Sequence, residues 1–178
     1  MTAGKDDTAE NKETYAIVGE LVLIASALDT LLNSVMVQVL HLGASPMIEP
    51  VVATLEPVRK IEILKERASF IRNDVWRKRL TAFVAKAESV FRHRNIACHM
   101  PAIFENGKWT LTPVSAAKVL KHLNIADPKA KRISFNDLKA AISTGEKALS
   151  EGLGVVENFK RANAELAKKA AQTQSAKD

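Results

Sequence analysis

The sequence is poor in the residues that usually hold metals, cofactors or disulfides. Its 178 residues include one cysteine, Cys98, which excludes an intramolecular disulfide and a multi-cysteine zinc site. It has no glycine-rich phosphate loop, no two-histidine metal motif and no internal repeat. We therefore predict a protein that binds no metal and needs no cofactor.

The sequence also lacks the patterns of a secretory signal and of a membrane span. Residues 1–13 are polar and acidic and contain no apolar run. The longest apolar segment, residues 16–42, includes Glu20 and Asp29, which a spanning helix would place in hydrocarbon. These features predict a soluble, cytoplasmic protein that does not enter a membrane.

The composition favours one globular domain with a basic balance. Apolar residues make up 47% of the chain, and 26 basic against 20 acidic residues give a formal net charge of +6. We predict one helical domain over residues 13–168, with disordered ends at 1–12 and 169–178. The charge favours a polyanionic partner such as nucleic acid, although many soluble proteins without such a partner carry as much.

The first strong helical pattern runs from Tyr15 to about Leu42, and Gly43 is predicted to end it. This helix is apolar nearly all round, so we expect it to be buried on two sides. In a chain of this length, that indicates a central helix or a helix at a subunit interface.

The remaining pattern predicts an all-α bundle of about five helices with a small β-hairpin near 102–111. The hairpin turn is Asn106-Gly107. In the helix that begins at Pro57, the basic side, which includes Lys60, is predicted to be solvated. Glycines weaken the last helix midway, which is compatible with a bend or break near Gly152. Further short helices are predicted after Ser45-Pro46 and over 115–123.

The helix that ends near His99 carries an arginine on its apolar face. In a helical projection, Arg94 points into that face, while Asn95 and His99 share a polar strip beside it. A buried guanidinium needs a carboxylate, or it faces a cleft where anions bind. Asp29 in the first helix is the best intramolecular candidate, although Asp29 can also be read as a solvated residue at the edge of an apolar stripe.

Arginine, asparagine and histidine together suit phosphodiester chemistry without a metal. Histidine moves the proton of a ribose 2′-hydroxyl or of the leaving group, and arginine stabilises the charge that develops on the phosphate. Asparagine can orient either partner. The structural alternative is an Arg94–Asp29 bridge that joins two helices, with His99 acting only at the helix end.

A second group of cations lies near the start of the same helix and could follow a phosphate backbone. They could equally be ordinary surface residues. We keep them as weak candidates for RNA binding, together with one cation nearer the helix end: Arg72, Arg77, Lys78, Arg79 and Arg92.

The segment Arg94-Asn95-Ile96-Ala97-Cys98-His99 resembles the signature of the HEPN superfamily, which is arginine, four to six residues, then histidine. A polar residue commonly follows the arginine, and here it is Asn95. The context strengthens the resemblance, because the motif ends a long helix, a predicted hairpin follows, and Asp29 lies where the family places an acidic residue. The resemblance covers roughly residues 15–165.

The resemblance implies a helical bundle that dimerises so that two copies of the motif line one cleft. Many members are metal-independent endoribonucleases of toxin–antitoxin, phage-defence or RNA-processing systems. On this basis Arg94 and His99 would be catalytic, Asn95 supporting, and Asp29 the residue that orients Arg94. RNA, a second copy of the chain and an antitoxin or other protein are the implied partners.

Two points limit the resemblance. One toxin subgroup has a nucleotide-accepting tyrosine two residues after the histidine, whereas this chain has Pro101 there, so that regulation is not expected. Some members are also inactive. The alternative prediction is therefore a non-catalytic, HEPN-like module that binds RNA, a nucleotide or a protein.

Overall fold

The computed structural model describes residues 7–43, 47–99, 102–105, 108–111 and 133–175. Over these residues the chain is an all-α helical bundle with a small sheet, which confirms the predicted fold class. Its elements in chain order are α1 (Asp7–Val39), α2 (Ile48–Ala53), α3 (Pro57–Ser69), α4 (Asp74–His99), β1 (Ala102–Glu105), β2 (Lys108–Leu111), β3 (Ile133–Ser134) and α5 (Phe135–Ser175).

The three strands form one antiparallel sheet in the order β1-β2-β3. Strand β1 pairs with β2 from Ala102↔Leu111 to Glu105↔Lys108, as the hairpin prediction requires. Strand β3 was not predicted, because two residues are too short to show an alternating pattern. The Asn106-Gly107 turn, the Ser45-Pro46 helix start and the helix over 115–123 lie outside the described residues.

The chain divides into two compact units. Unit 1 comprises residues 1–25 and 89–145, and unit 2 comprises residues 26–88 and 146–178. Helices α1, α4 and α5 therefore each contribute one part to each unit. The prediction of one domain over 13–168 stays a prediction.

The core of unit 1 comes from α1, α4 and α5. From α5 it includes Leu138 and Ile142, which are both buried. Gly145 is buried, and a Cβ at this position would collide with the side chain of Ile24. The glycine therefore lets α5 approach α1 closely. The other buried apolar side chains of this unit include Ile17, Leu21, Val90, Phe91 and Ile133.

The core of unit 2 comes from α1, α3, α4 and α5. Gly152 lies in it, and a Cβ there would be 2.5 Å from Phe83 Cε2 and 2.6 Å from Leu31 Cδ2. Trp76 also packs on Phe159, with ring centroids 5.3 Å apart. Further buried residues include Leu28, Leu32, Val35, Ile61, Leu64, Leu80, Val84, Ala148 and Val155.

Both terminal helices extend further than the sequence pattern indicated. Helix α1 begins at Asp7 and α5 ends at Ser175, so residues 7–12 and 169–175 are helical where we expected disorder. Helix α5 is also continuous through Gly152. Acidic residues suit a helix N-terminus, and the alanines, lysines and glutamines of the last turns are good helix formers.

Helix α1 ends at Val39, and the residue that terminates it in the left-handed conformation is His41 rather than Gly43. His41 has a φ of 52°. Its amide donates to the Gln38 carbonyl (3.2 Å), and the Leu42 amide donates to the Val37 carbonyl (3.0 Å), which together form a Schellman motif. The left-handed residue is therefore a histidine, at a position where glycine would be less strained.

Helix α1 is not buried all round. Its segment Lys12–Val39 is long and apolar enough to cross a membrane, although the core helix of a soluble protein passes the same test. Within unit 1, Tyr15 is 74% exposed, Leu23 is 72% exposed and Val22 is 37% exposed. The expected burial on two sides is therefore not achieved within unit 1 of this chain.

Candidate functional site

Helix α4 carries the predicted motif in its last two turns. Its start is fixed by Asn73, whose Oδ1 accepts hydrogen bonds from the amides of Val75 (3.0 Å) and Trp76 (3.2 Å). Its last helical residue is His99, as predicted from Pro101. The motif therefore lies at a helix C-terminus, where the carbonyl ends favour positive charge.

Arg94 is half-buried and has no carboxylate partner among the described residues of unit 1. Its Cζ lies 6.0 Å from the ring centroid of Phe91. Such a cation–π contact is worth about 0.5–1 kcal/mol at an exposed site, which supports the side chain without using its N–H donors. The guanidinium therefore retains donors that can bind an anion.

Asn95 and His99 are exposed and stand one helical turn apart. Neither side chain makes a hydrogen bond to another described residue of unit 1. The strip predicted from the projection is thus open to solvent at both positions. The last turns of α4 therefore present an imidazole and an amide to solvent.

The sequence analysis did not consider His93, which immediately precedes Arg94. Its Nδ1 lies 2.7 Å from the carbonyl oxygen of Ser89. A carbonyl only accepts hydrogen bonds, so Nδ1 carries the proton and a neutral His93 keeps Nε2 as its acceptor. The spacing of four residues between Ser89 and His93 on a helix is the signal that could have revealed this contact.

Asp29 has a partner that the sequence analysis missed. Its Oδ1 accepts a hydrogen bond from Lys60 Nζ at 2.7 Å. The same contact is an ion pair between the two side chains, and both residues belong to unit 2. The Lys60 side chain is fully buried, whereas the Asp29 side chain is 36% exposed. The charge of Asp29 is thus already offset, and its role in orienting Arg94 stays a prediction.

The prediction that Lys60 is solvated was therefore wrong. Val58, an apolar residue two positions earlier in the same helix, is 55% exposed instead. Lys60 lies one residue before Ile61 and four before Leu64, so it falls on the same stripe as the buried positions. The signal in the sequence was a lysine in the apolar stripe of one helix and a carboxylate, Asp29, in a second helix that could pair with it.

The predicted basic cluster divides into engaged and free cations. Arg77 pairs with Asp74 and donates to the Ile71 carbonyl at 3.4 Å. Arg72, Lys78 and Arg79 are exposed, and no described residue of unit 2 pairs with them. Arg92 is exposed in unit 1 and likewise has no partner among the described residues there.

Two of the free cations border a groove between α4 and α5 in unit 2. The groove has a volume of about 450 Å³ and is lined by Lys78, Arg79, Ala82, Glu151 and Gly154. Glu151 accepts a hydrogen bond from Lys86 at 2.6 Å, so its charge is offset. This groove was not predicted, because it depends on how two helices distant in sequence pack.

Elsewhere in unit 1, Lys139 donates a hydrogen bond to Glu13 at 2.8 Å. This hydrogen bond, together with the positive charge of Lys139, lowers the pKa of Glu13 below its ordinary value. The described residues contain no cluster of three or more histidine, cysteine, aspartate or glutamate side chains that could hold a metal ion.

Comparison with known proteins adds no relative. No family model, no curated protein and no solved structure matches this chain. The class that the structure defines is therefore an all-α helical bundle, and its function has to be argued from the residues themselves.

Proposed function

We propose that this protein is a HEPN-type, metal-independent endoribonuclease whose reacting residues are Arg94, Asn95 and His99. It would act in a toxin–antitoxin, phage-defence or RNA-processing system in the cytoplasm. The single observation that carries the proposal is the state of Arg94. Its guanidinium is half-buried near a helix end and has no carboxylate partner among the described residues of its unit, and the same helix end carries an exposed histidine and an exposed asparagine.

The proposed reaction is an attack of the ribose 2′-hydroxyl on the adjacent phosphorus. The bond to the 5′-oxygen of the next nucleotide breaks, which leaves a 2′,3′-cyclic phosphate and a free 5′-hydroxyl. His99 takes the proton of the 2′-hydroxyl or gives a proton to the departing 5′-oxygen, so that overall one proton moves from the 2′-oxygen to the 5′-oxygen. Arg94 donates hydrogen bonds to the phosphate oxygens as their charge increases. Asn95 orients the imidazole or the phosphate.

The ion pair between Asp29 and Lys60 supports this use of Arg94. Because Lys60 offsets the charge of Asp29 at 2.7 Å, the burial of Asp29 requires no second cation. In the structural alternative, Arg94 would serve only as a bridge between helices. The contact of Arg94 with Phe91 supports its position without such a bridge.

The proposal includes a homodimer, which the resemblance implies. The exposed apolar side chains of α1 in unit 1, Tyr15, Val22 and Leu23, offer a surface that a second copy could cover. This fits the expectation that α1 lies at a subunit interface. Sedimentation equilibrium of the full chain measures whether the dimer forms.

The reaction can be tested with substrates that differ only in the 2′-hydroxyl. A single-stranded RNA should be cut in the presence of EDTA, and its 2′-O-methyl counterpart should remain intact. Arg94→Lys should lower kcat roughly 10²-fold, because lysine keeps the positive charge but cannot make the bidentate hydrogen bonds of arginine to the phosphate. Arg59→Ala, which removes an exposed arginine of α3, serves as the control and should cut at the wild-type rate.

If both substrates are cut equally, or if the product carries no cyclic phosphate, the proposed chemistry is wrong. A chain that binds RNA but never cuts it would instead support the non-catalytic module.

A further inference from the structure

The groove in unit 2 lies between the turn of α4 that carries Lys78 and Arg79 and the part of α5 that contains Gly154. On α4, Val75, Arg79, Ala82 and Lys86 follow one another along the same face at helical spacing. On α5, Gly154 faces open space, with no atom within 4 Å of where a Cβ would be. Ala82 and Gly154 thus give the groove a shallow, apolar floor.

The charges around this groove are unbalanced towards the positive. Lys78 and Arg79 are exposed and have no partner among the described residues of unit 2. Among the described lining residues, the acidic one is Glu151, whose carboxylate pairs with Lys86, so its negative charge is offset and does not repel an anion. The groove therefore combines an apolar floor with two available cations.

The dimensions favour a small occupant. A volume of about 450 Å³ falls in the lower part of the range for small-ligand pockets, roughly 300–1,000 Å³. It has room for one nucleotide. A docked amphipathic helix would need a row of exposed aliphatic side chains, whereas on α4 this face offers only Val75, which is 57% exposed.

We propose that this groove holds one nucleotide of a single-stranded RNA, with the base on the floor of Ala82 and Gly154 and the phosphate between Lys78 and Arg79. Nucleobases have flat apolar faces, and basic side chains beside such a floor hold the backbone of a single strand. The inference rests on the proposed ribonuclease function, since it assigns a second contact to the same substrate.

The test measures binding by fluorescence anisotropy with a labelled, single-stranded RNA. All variants carry His99→Ala, so that cleavage of the RNA is slowed during the titration. Lys78→Ala/Arg79→Ala should weaken binding roughly tenfold and reduce the steepness of the slope of log K against log salt by about 0.7, because the two cations hold the same phosphate. The matched control Lys160→Ala/Lys169→Ala removes two exposed cations of α5 and should leave the slope unchanged.

Filling the groove tests the base contact separately from the charge. Gly154→Leu adds a side chain to open space, so the helix should fold normally while binding weakens roughly fivefold with an unchanged salt slope. Lys86→Met should also weaken binding, because it frees the charge of Glu151. The double variant Lys86→Met/Glu151→Gln should restore the affinity, since it removes that charge.

The outcomes separate this inference from the proposed function. If RNA is cut by the wild-type chain but binds the groove variants as tightly as the parent, the groove assignment is wrong and the ribonuclease proposal stands. If binding depends on the groove while the wild-type chain never cuts RNA, only the ribonuclease proposal fails. If a glutamate-rich peptide, and not RNA, binds in a manner that requires Lys78, Arg79 and Gly154, the groove is a protein-docking site and the inference is overturned.

Discussion

Asp29 and Lys60 form an ion pair whose two members differ in burial. The Lys60 side chain is fully buried, and the Asp29 side chain is 36% exposed. Removing Asp29 should therefore lower the free energy of unfolding more than removing Lys60 does. Only the buried ammonium of Lys60 has no water that could replace its lost partner.

We expect Asp29→Ala to lower the free energy of unfolding by about 3 kcal/mol, because it leaves the Lys60 ammonium buried and uncompensated. Lys60→Met should cost less, about 1 kcal/mol, because water can still reach the Asp29 carboxylate. Urea denaturation of the two variants measures the difference. Equal losses would mean that the burial of the two partners is not what sets their cost.

The double variant Asp29→Ala/Lys60→Met separates the structural role of Asp29 from a role beside Arg94. If Asp29 serves only Lys60, the double variant should regain most of the stability and also the wild-type rate of RNA cleavage. If Asp29 orients Arg94, stability should return while cleavage stays low. Measuring both quantities on the same preparation distinguishes the two roles.

The pair of Glu13 and Lys139 gives a prediction about pH. The hydrogen bond from Lys139, followed by its charge, lowers the pKa of Glu13 below its ordinary value of 4.5. A carboxyl group with a lowered pKa in the folded state stabilises that state above its ordinary pKa, and this contribution is lost as the pH falls through the lowered value. Lys139→Met should therefore return the pKa of Glu13 to its ordinary value.

An NMR titration of the Glu13 carboxyl carbon measures this change. Lys147→Met, which removes an exposed lysine two turns further along α5, should not alter the Glu13 titration. A Glu13 titration that is the same in wild type and Lys139→Met would show that the ion pair does not form in solution.

At the scale of the element, two glycines of α5 have opposite surroundings, so that alanine substitutions at them should change stability in opposite directions. Gly152 lies against Phe83 and Leu31, with only 2.5 and 2.6 Å to an added Cβ, whereas Gly154 faces open space. A methyl group at the first position must displace two core side chains. At the second position it only improves the helix propensity.

We therefore expect Gly152→Ala to lower the free energy of unfolding by roughly 1–3 kcal/mol, as other overpacked cores do. Gly154→Ala should raise it by up to about 1 kcal/mol, because alanine is the better helix former. Thermal unfolding followed by circular dichroism measures both variants. If Gly152→Ala were as stable as Gly154→Ala, the close packing of α5 on α4 and α1 in unit 2 would be contradicted.

These elements also illustrate what a sequence can and cannot predict. The helical spacing of apolar residues located the long helices, and Pro101 located the end of α4, because both signals are local. The end of α1 was misplaced, since Gly43 was the obvious C-cap and His41 took the left-handed conformation instead. The bend or break that the sequence allowed near Gly152 is not a break, since α5 is continuous there. Gly145 and Gly152 instead serve the packing between helices, which a local pattern does not contain.

At the scale of the whole molecule, the fold class was predictable and the pairing of charges was not. The sequence located Arg94, Asn95 and His99 on one helix end, and the exposure of the last two agrees with the projection. The partner of Asp29 depends on how α1 and α3 pack, so the buried Lys60 was taken for a surface residue. The groove beside Lys78 and Arg79 was missed for the same reason, since α5 contributes Glu151 and Gly154 to its lining.

The central claim is that the end of α4 is a ribonuclease site that works without a metal. The most direct measurement compares the cleavage of a single-stranded RNA by the wild-type chain and by His99→Ala, both in excess EDTA and at equal folded concentration. The account predicts that the wild-type chain cuts the RNA to products that end in a 2′,3′-cyclic phosphate, and that His99→Ala is slower by roughly 10²-fold or more. Equal rates for the two chains, or no cleavage by a folded wild-type chain, would contradict it.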